Sequence, residues 1–180
     1  MAAALSLAVA GCGGDEKKPE SSTSSAPSTD TGKQSDNTPV DDQPDPNVKL
    51  AELKGAGNVL LTINAVERDP GGFVTVSGQI KNQGTEIFVN NFPWRGTETE
   101  VVRKNGNSVA GATLVDDVGK KRYYILRDTD GRCLCTNGIN PIKPGESIPV
   151  FMQFPAPPEG TSEVEFSLPT FPTATLKIAA

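Results

Sequence analysis

The stretch "FVTVSGQIKN", Phe73 to Asn82, sets Val74, Val76, Gly78 and Ile80 against polar neighbours. That is the two-residue period of a strand with one buried face. Upstream, "NVLLTINAVERD" keeps the same period, with Leu61, Ile63 and Ala65 alternating against Thr62 and Asn64. Asp69-Pro70-Gly71-Gly72 turns the chain between the two runs, and Asn82-Gln83-Gly84 turns it again before "TEIFVNNF". Further candidate strands are "TEVVRK", "ATLVDD", "KRYYILRD", "SIPVFMQF", "EVEFSLP" and "TATLKIA". Apolar residues nowhere recur at helical spacing through three turns. The expected fold is all-β, a two-sheet sandwich of about seven to nine strands.

Charge is unevenly placed along the 180 residues. Residues 13 to 48 hold three lysines against eight acids, whereas residues 49 to 180 hold fourteen of each sign. The acidic excess therefore belongs to the N-terminal segment, and the remainder has no basic excess to attract nucleic acid. The chain contains no histidine. This excludes Ser-His-Asp and Cys-His nucleophile systems in their usual forms, together with the common histidine-containing zinc sites. No Gly-x-Ser-x-Gly motif occurs, and acid pairs such as Asp116/Asp117 and Asp128/Asp130 read as solvated surface. The expectation is a protein that is not an enzyme and carries no cofactor.

The N-terminus reads as an address. "MAAALSLAVAGCGG" runs a small apolar stretch into Val9-Ala10-Gly11-Cys12, which resembles a bacterial lipobox with Cys12 as the acylated residue. Nine residues of helix reach only about 14 Å, far short of a bilayer. A signal peptide needs a basic start, yet Lys17 is the first cation, so residues 1–12 are expected to be a signal peptide clipped at its beginning. Acyl chains on Cys12 would hold the protein at a membrane. Residues 13–48 contain no aromatic residue and little that is branched and apolar, the composition of a disordered tether. Such a chain spans roughly 30–35 Å. Its Ser/Thr/Pro-rich part, Ser21 to Thr38, has the composition of an O-glycosylated segment or of a bare spacer. Residues 49–180 form the expected folded domain.

Four segments of that domain carry a family resemblance. "VTVSGQIKNQGTEIFVNNF" ends a strand in an Asn-x-Gly turn at Asn82–Gly84, and "LVDDVGKKRY" forms a hairpin over Leu114–Tyr123. A Pro-Gly-Glu turn at Pro144–Glu146 opens a strand that closes on Phe154-x-x-Pro157, and "LPTFPTATLKI" ends the chain. Together these resemble the immunoglobulin-like domains of actinobacterial secreted lipoproteins, the family of the mycobacterial immunoprotective extracellular protein. The resemblance spans roughly residues 57–178. It implies an immunoglobulin-like sandwich in an extracytoplasmic setting, lipid-anchored and facing the cell wall. For activity it implies no assigned chemistry.

With Cys12 acylated, Cys133 and Cys135 remain, an even number in an oxidising compartment. On a fully extended strand their Cα atoms would stand about 6.6 Å apart, near the upper limit for a disulfide, so pairing requires a bend at Leu134. A local staple at a tight turn is the first expectation. Free thiols or pairing across chains come second, and thiol exchange third, since catalytic pairs use two-residue spacing and a nearby activating cation. Asp128-Thr129-Asp130-Gly131 resembles the start of a calcium loop, but no glutamate closes it and it reads as a turn. Phe92, Trp94 and Arg95 flank Pro93, a residue that sits badly in a central strand. They form either a loop presenting aromatic and cationic groups to an envelope protein or glycan, or the core of the sandwich around Trp94. The expected function is a lipid-anchored, non-enzymatic binding or interaction module. The alternative is an envelope thiol-redox or chaperone-like protein acting through Cys133 and Cys135.

Overall fold

The computed structural model describes Asp45 and residues 47–179. Cys12, the lipobox and nearly all of the tether lie outside the described residues. Eight strands occur in two antiparallel sheets of four. The first sheet has the order β1 (Ala51–Lys54), β2 (Val59–Asp69), β3 (Phe73–Asn82), β6 (Ser147–Pro155). The second has the order β5 (Lys121–Tyr124), β4 (Thr113–Asp116), β7 (Glu163–Ser167), β8 (Ala174–Lys177).

The connections make this an immunoglobulin-type sandwich. The chain crosses from β3 to β4 and again from β6 to β7, while β3 pairs with β6 and β4 with β7. Two strands that neighbour in one sheet thus lead to two that neighbour in the other. That interlock allows β2-β3-β6 to stand for A-B-E and β5-β4-β7-β8 for C′-C-F-G, with β1 added outside A. The D position, at the free edge of β6, is taken by residues 134–136.

Alternation decides what the sheets bury. Val74 and Val76 of β3 pair with Phe154 and Met152 of β6, Gly78 pairs with Val150 and Ile80 with the half-buried Ile148; Val74, Val76, Ile80, Val150, Met152 and Phe154 are all buried. Leu114, Val164, Phe166 and Leu176 supply the opposing layer. Fully burying a side chain of this size contributes about 1.5–3 kcal/mol, so the two inner faces hold the domain together. The long strand β2 could not keep one face inward over its length without correction. A bulge between Ile63 and Ala65 inserts Asn64 and restores the inward phase at Val66. Gly78 lies opposite this bulge, where a Cβ would stand 2.1 Å from the Thr62 carbonyl oxygen. The alternation read from the sequence therefore contains one position that must lack a side chain.

Seven of the nine runs expected from the sequence are strands. "TEVVRK" is instead a short helix, α1 (Thr99–Lys104), which buries only Val101 and is closed by the side chain of Asn105 donating to the Val101 carbonyl. "TEIFVNNF" makes a single bridge, Phe88 to Ile142, and is otherwise irregular. β1 was not expected. Its Ala-Glu-Leu-Lys sequence buries only Leu53 and depends on its partner β2 rather than on its own pattern.

Candidate functional site

Cys133 and Cys135 are joined, and their Cα atoms lie 5.2 Å apart, closer than an extended strand would hold them. The segment therefore bends at Leu134, as a bond between residues two apart requires. After β5 the chain leaves the second sheet. The Leu126 amide donates to the Gln153 carbonyl of β6, a turn spans residues 128–132, and the chain returns alongside itself with Arg127 bridging Cys133. Cys135 then bridges Met152, the Gln153 amide donates to the Leu134 carbonyl, and the Thr136 amide donates to the Phe151 carbonyl. The Phe151 amide donates to the Thr136 hydroxyl oxygen. The cysteine segment thus covers the β6 edge, which would otherwise present unpaired backbone groups to another strand.

The turn is held from within. Asp128 accepts at its carboxylate from the amides of Asp130 and Arg132, and Gly131 takes a positive φ of 79°. The stretch Asp128–Gly131 is thus the turn expected from the sequence, with its carboxylate spent on its own backbone. Among the described residues no cluster of three or more potential metal ligands occurs. From the far side, Asn105, fully buried at the end of α1, accepts the Cys133 amide at its Oδ1 and donates from its Nδ2 to Gly131 and Val101 carbonyls. One asparagine links helix, turn and staple.

The sequence grouped Phe92, Trp94 and Arg95, and the fold separates them. They lie on a 3₁₀ turn, Phe92–Arg95, with Pro93 in its first turn, where a missing amide costs nothing. Trp94 is fully buried, stacks on Phe88 at a centroid distance of 5.3 Å, approaches Phe171, and donates from its indole nitrogen to the Thr170 hydroxyl. The partner-contact reading of Trp94 is corrected: it is the core tryptophan between the two sheets. Phe92 points the other way, 53 % exposed, with the Arg95 guanidinium 5.3 Å from its ring centroid. A proline-centred turn necessarily sends successive side chains to different faces, so adjacency in sequence did not mean a shared surface.

Arg95 also lines a cleft of about 370 Å³ between this turn, α1 and the β4–β5 hairpin. Its walls include Pro93, Val101, Ala110, Ile125 and Pro169. Gly111 lies against Gly96, where a Cβ on Gly111 would come within contact range of the Gly96 backbone, so the floor is bare main chain. At the rim Glu98 and Arg127 form a two-pronged ion pair. The Arg127 hydrogen bond holds the Glu98 carboxyl below its ordinary range, outweighing the small cost of burial. Arg95 donates to the Gly106 carbonyl. A second, more open groove of about 790 Å³ lies on the solvent face of the first sheet, between Ser77, Gln79, Pro149 and Phe151.

Asp116, at the end of β4, is an acid whose role is structural. Its Oδ1 accepts the amides of Val118 and Gly119, and its Oδ2 accepts the Thr161 hydroxyl. The Gly119 amide in particular holds its pKa below the ordinary value, against the opposing effect of burial. Nearby Tyr123 is pushed up, first by burial and then by the Asp116 charge. Neither group faces the cleft. Sequence reading missed the cleft, Asn105 and the Glu98–Arg127 pair, because each depends on residues that only the fold brings together. Comparison of the chain with protein-family models, curated proteins and solved structures finds no match.

Proposed function

We propose that this chain is a lipid-anchored cell-envelope protein whose sandwich is a non-enzymatic binding module. The observation that carries the reading is the use made of Cys133 and Cys135. Their bond braces a segment whose backbone is already paired to β6, and Cys135 is buried there. A bond of that kind belongs to an oxidising compartment, the same one named by the lipobox-like Val9–Cys12. The resemblance to actinobacterial secreted lipoproteins supports the same setting.

The experiment is expression of the full chain, with a basic signal-peptide start restored ahead of Met1, in a bacterium that processes lipoproteins, followed by detergent phase partition and mass measurement with and without reductant. The expected result is an acyl-glyceryl adduct on Cys12, loss of detergent partition in Cys12→Ser, and a two-hydrogen deficit in the peptide holding both other cysteines. Wild-type protein staying in the aqueous phase would overturn the anchoring.

The redox reading keeps one observation in its favour: Cys133 is only half-buried and sits beside an exposed turn. Free-thiol titration under a mild dithiol separates the two. A brace resists exchange until the edge segment opens, whereas a working redox pair exchanges in the folded state.

A further inference from the structure

We infer that the 370 Å³ cleft beneath the Phe92–Arg95 turn binds a small organic monocarboxylate with an apolar body. The volume lies in the range of small-molecule sites, which combine apolar walls with a few convergent polar groups. Pro93, Val101, Ala110, Ile125 and Pro169 supply the walls, and the close approach of Gly96 and Gly111 leaves the floor free of side chains.

The charges around the cleft decide the ligand class. Three ionised groups line it: Arg95, Arg127 and Glu98. Arg127 spends two nitrogens on the two Glu98 oxygens, so these two cancel. Arg95 has no carboxylate partner among the described residues; its acceptor is the Gly106 carbonyl, and its face rests toward Phe92. A guanidinium carries five N–H donors, so most of those of Arg95 remain unspent. Among the ionised residues lining the cleft, Arg95 alone has no oppositely charged partner, so the lining carries one uncompensated positive charge beside apolar walls. A planar carboxylate matches the guanidinium fork, and an apolar body matches the walls. A phosphate dianion would call for a second unmatched cation, which the cleft lacks. Thr97 and Tyr124 line the same cleft, and their hydroxyls form no hydrogen bond among the described residues, leaving them free for the second carboxylate oxygen.

This deepens the binding-module reading by naming what the module takes. It is tested apart from the membrane anchor, so failure here leaves the Cys12 experiments standing. The test titrates the full chain, labelled with nitrogen-15, with phenylacetate and with its neutral counterpart phenylacetamide. Saturable shifts are expected at the amides of Arg95, Gly96, Gly111 and Ile125, with phenylacetamide about tenfold weaker because it forgoes a charge-assisted hydrogen bond. Arg95→Gln is expected to bring the two affinities together. Glu98→Gln, which releases Arg127, is expected to tighten phenylacetate several-fold and serves independently should Arg95→Gln fail to fold. Non-saturable shifts, equal affinities in the parent chain, or an unchanged affinity in Glu98→Gln would each overturn the inference.

Discussion

Removing the side chain of Asn105 tests whether the cysteine edge is held by a buried polar node or by its disulfide alone. The Asn105 amide donates to the Val101 carbonyl at 3.0 Å and to Gly131 at 3.3 Å, and accepts from the Cys133 amide at 2.9 Å and the Asn137 side chain at 3.4 Å. Val101 keeps a second donor, the Asn105 backbone amide, and so loses least. The Cys133 amide has no other acceptor among the described residues, and in Asn105→Ala it is left half-buried without one. Orphaning one such group costs about 1–3 kcal/mol, and losing the weaker bonds about 1 more, giving roughly 2–4 kcal/mol in all. For a domain of this size that is a fall of about 10 °C in the melting midpoint. Scanning calorimetry on Asn105→Ala, on Cys133→Ser/Cys135→Ser and on the triple variant reads both the size and the coupling. In the serine background the turn loosens and the residue 133 amide reaches water, so the two losses should fall short of additivity by at least 0.5 kcal/mol. A midpoint change below about 2 °C, or simple additivity, would refute a shared node.

Other consequences follow from single contacts. Trp94→Ala should cost about 3–5 kcal/mol as a core truncation, read by denaturant melts; a variant as stable as the parent would restore an exposed Trp94. Gly78→Ala forces a methyl to within 2.1 Å of the Thr62 carbonyl oxygen and should cost about 1–3 kcal/mol, with amide exchange quickened around Asn64. Asp116 has its folded pKa held below its ordinary 3.8, so its contribution is complete above that value and fades as pH falls through the lowered one. Thermal melts between pH 5 and pH 2 should therefore show a steeper acid loss in the parent than in Asp116→Asn, and parallel curves would count against the Asp116 turn.

Much of the architecture was legible because it depends on short-range pattern. Val74, Val76 and Ile80 point inward wherever their strand pairs, and a Gly-rich turn at residues 69–72 leaves β2 and β3 little choice but to pair. The failures share a physical cause. "TEVVRK" has the composition of a strand, yet its Val101 needs only one turn to reach the core, and Asn105 is placed to close that turn. β1 exists because β2 offers an edge. The polar and prolyl neighbours of Trp94 fit an exposed loop as well as a core position, and the choice between the two is made by Phe88 and Phe171, distant in sequence.

The two cysteines show how a local pattern acquires a non-local purpose. Taken alone, a bond closing so short a loop constrains the unfolded chain little, about 1.5 kcal/mol by the loop-entropy relation. Its larger effect lies in the shape it imposes. By bending residues 133–135 it lets the Cys133 amide turn to Asn105 while the next backbone groups pair with β6. A straight strand would present successive amides to alternate sides in fixed register and could not divide its bonds between a helix end and a sheet edge in so few residues. The D-edge cover and the end of α1 are thus fastened by the same three residues. The cleft beneath Arg95 lies between that fastened helix and the β4–β5 hairpin, so a change at Cys133 should be felt in the cleft through Asn105 and Val101, which lines its wall.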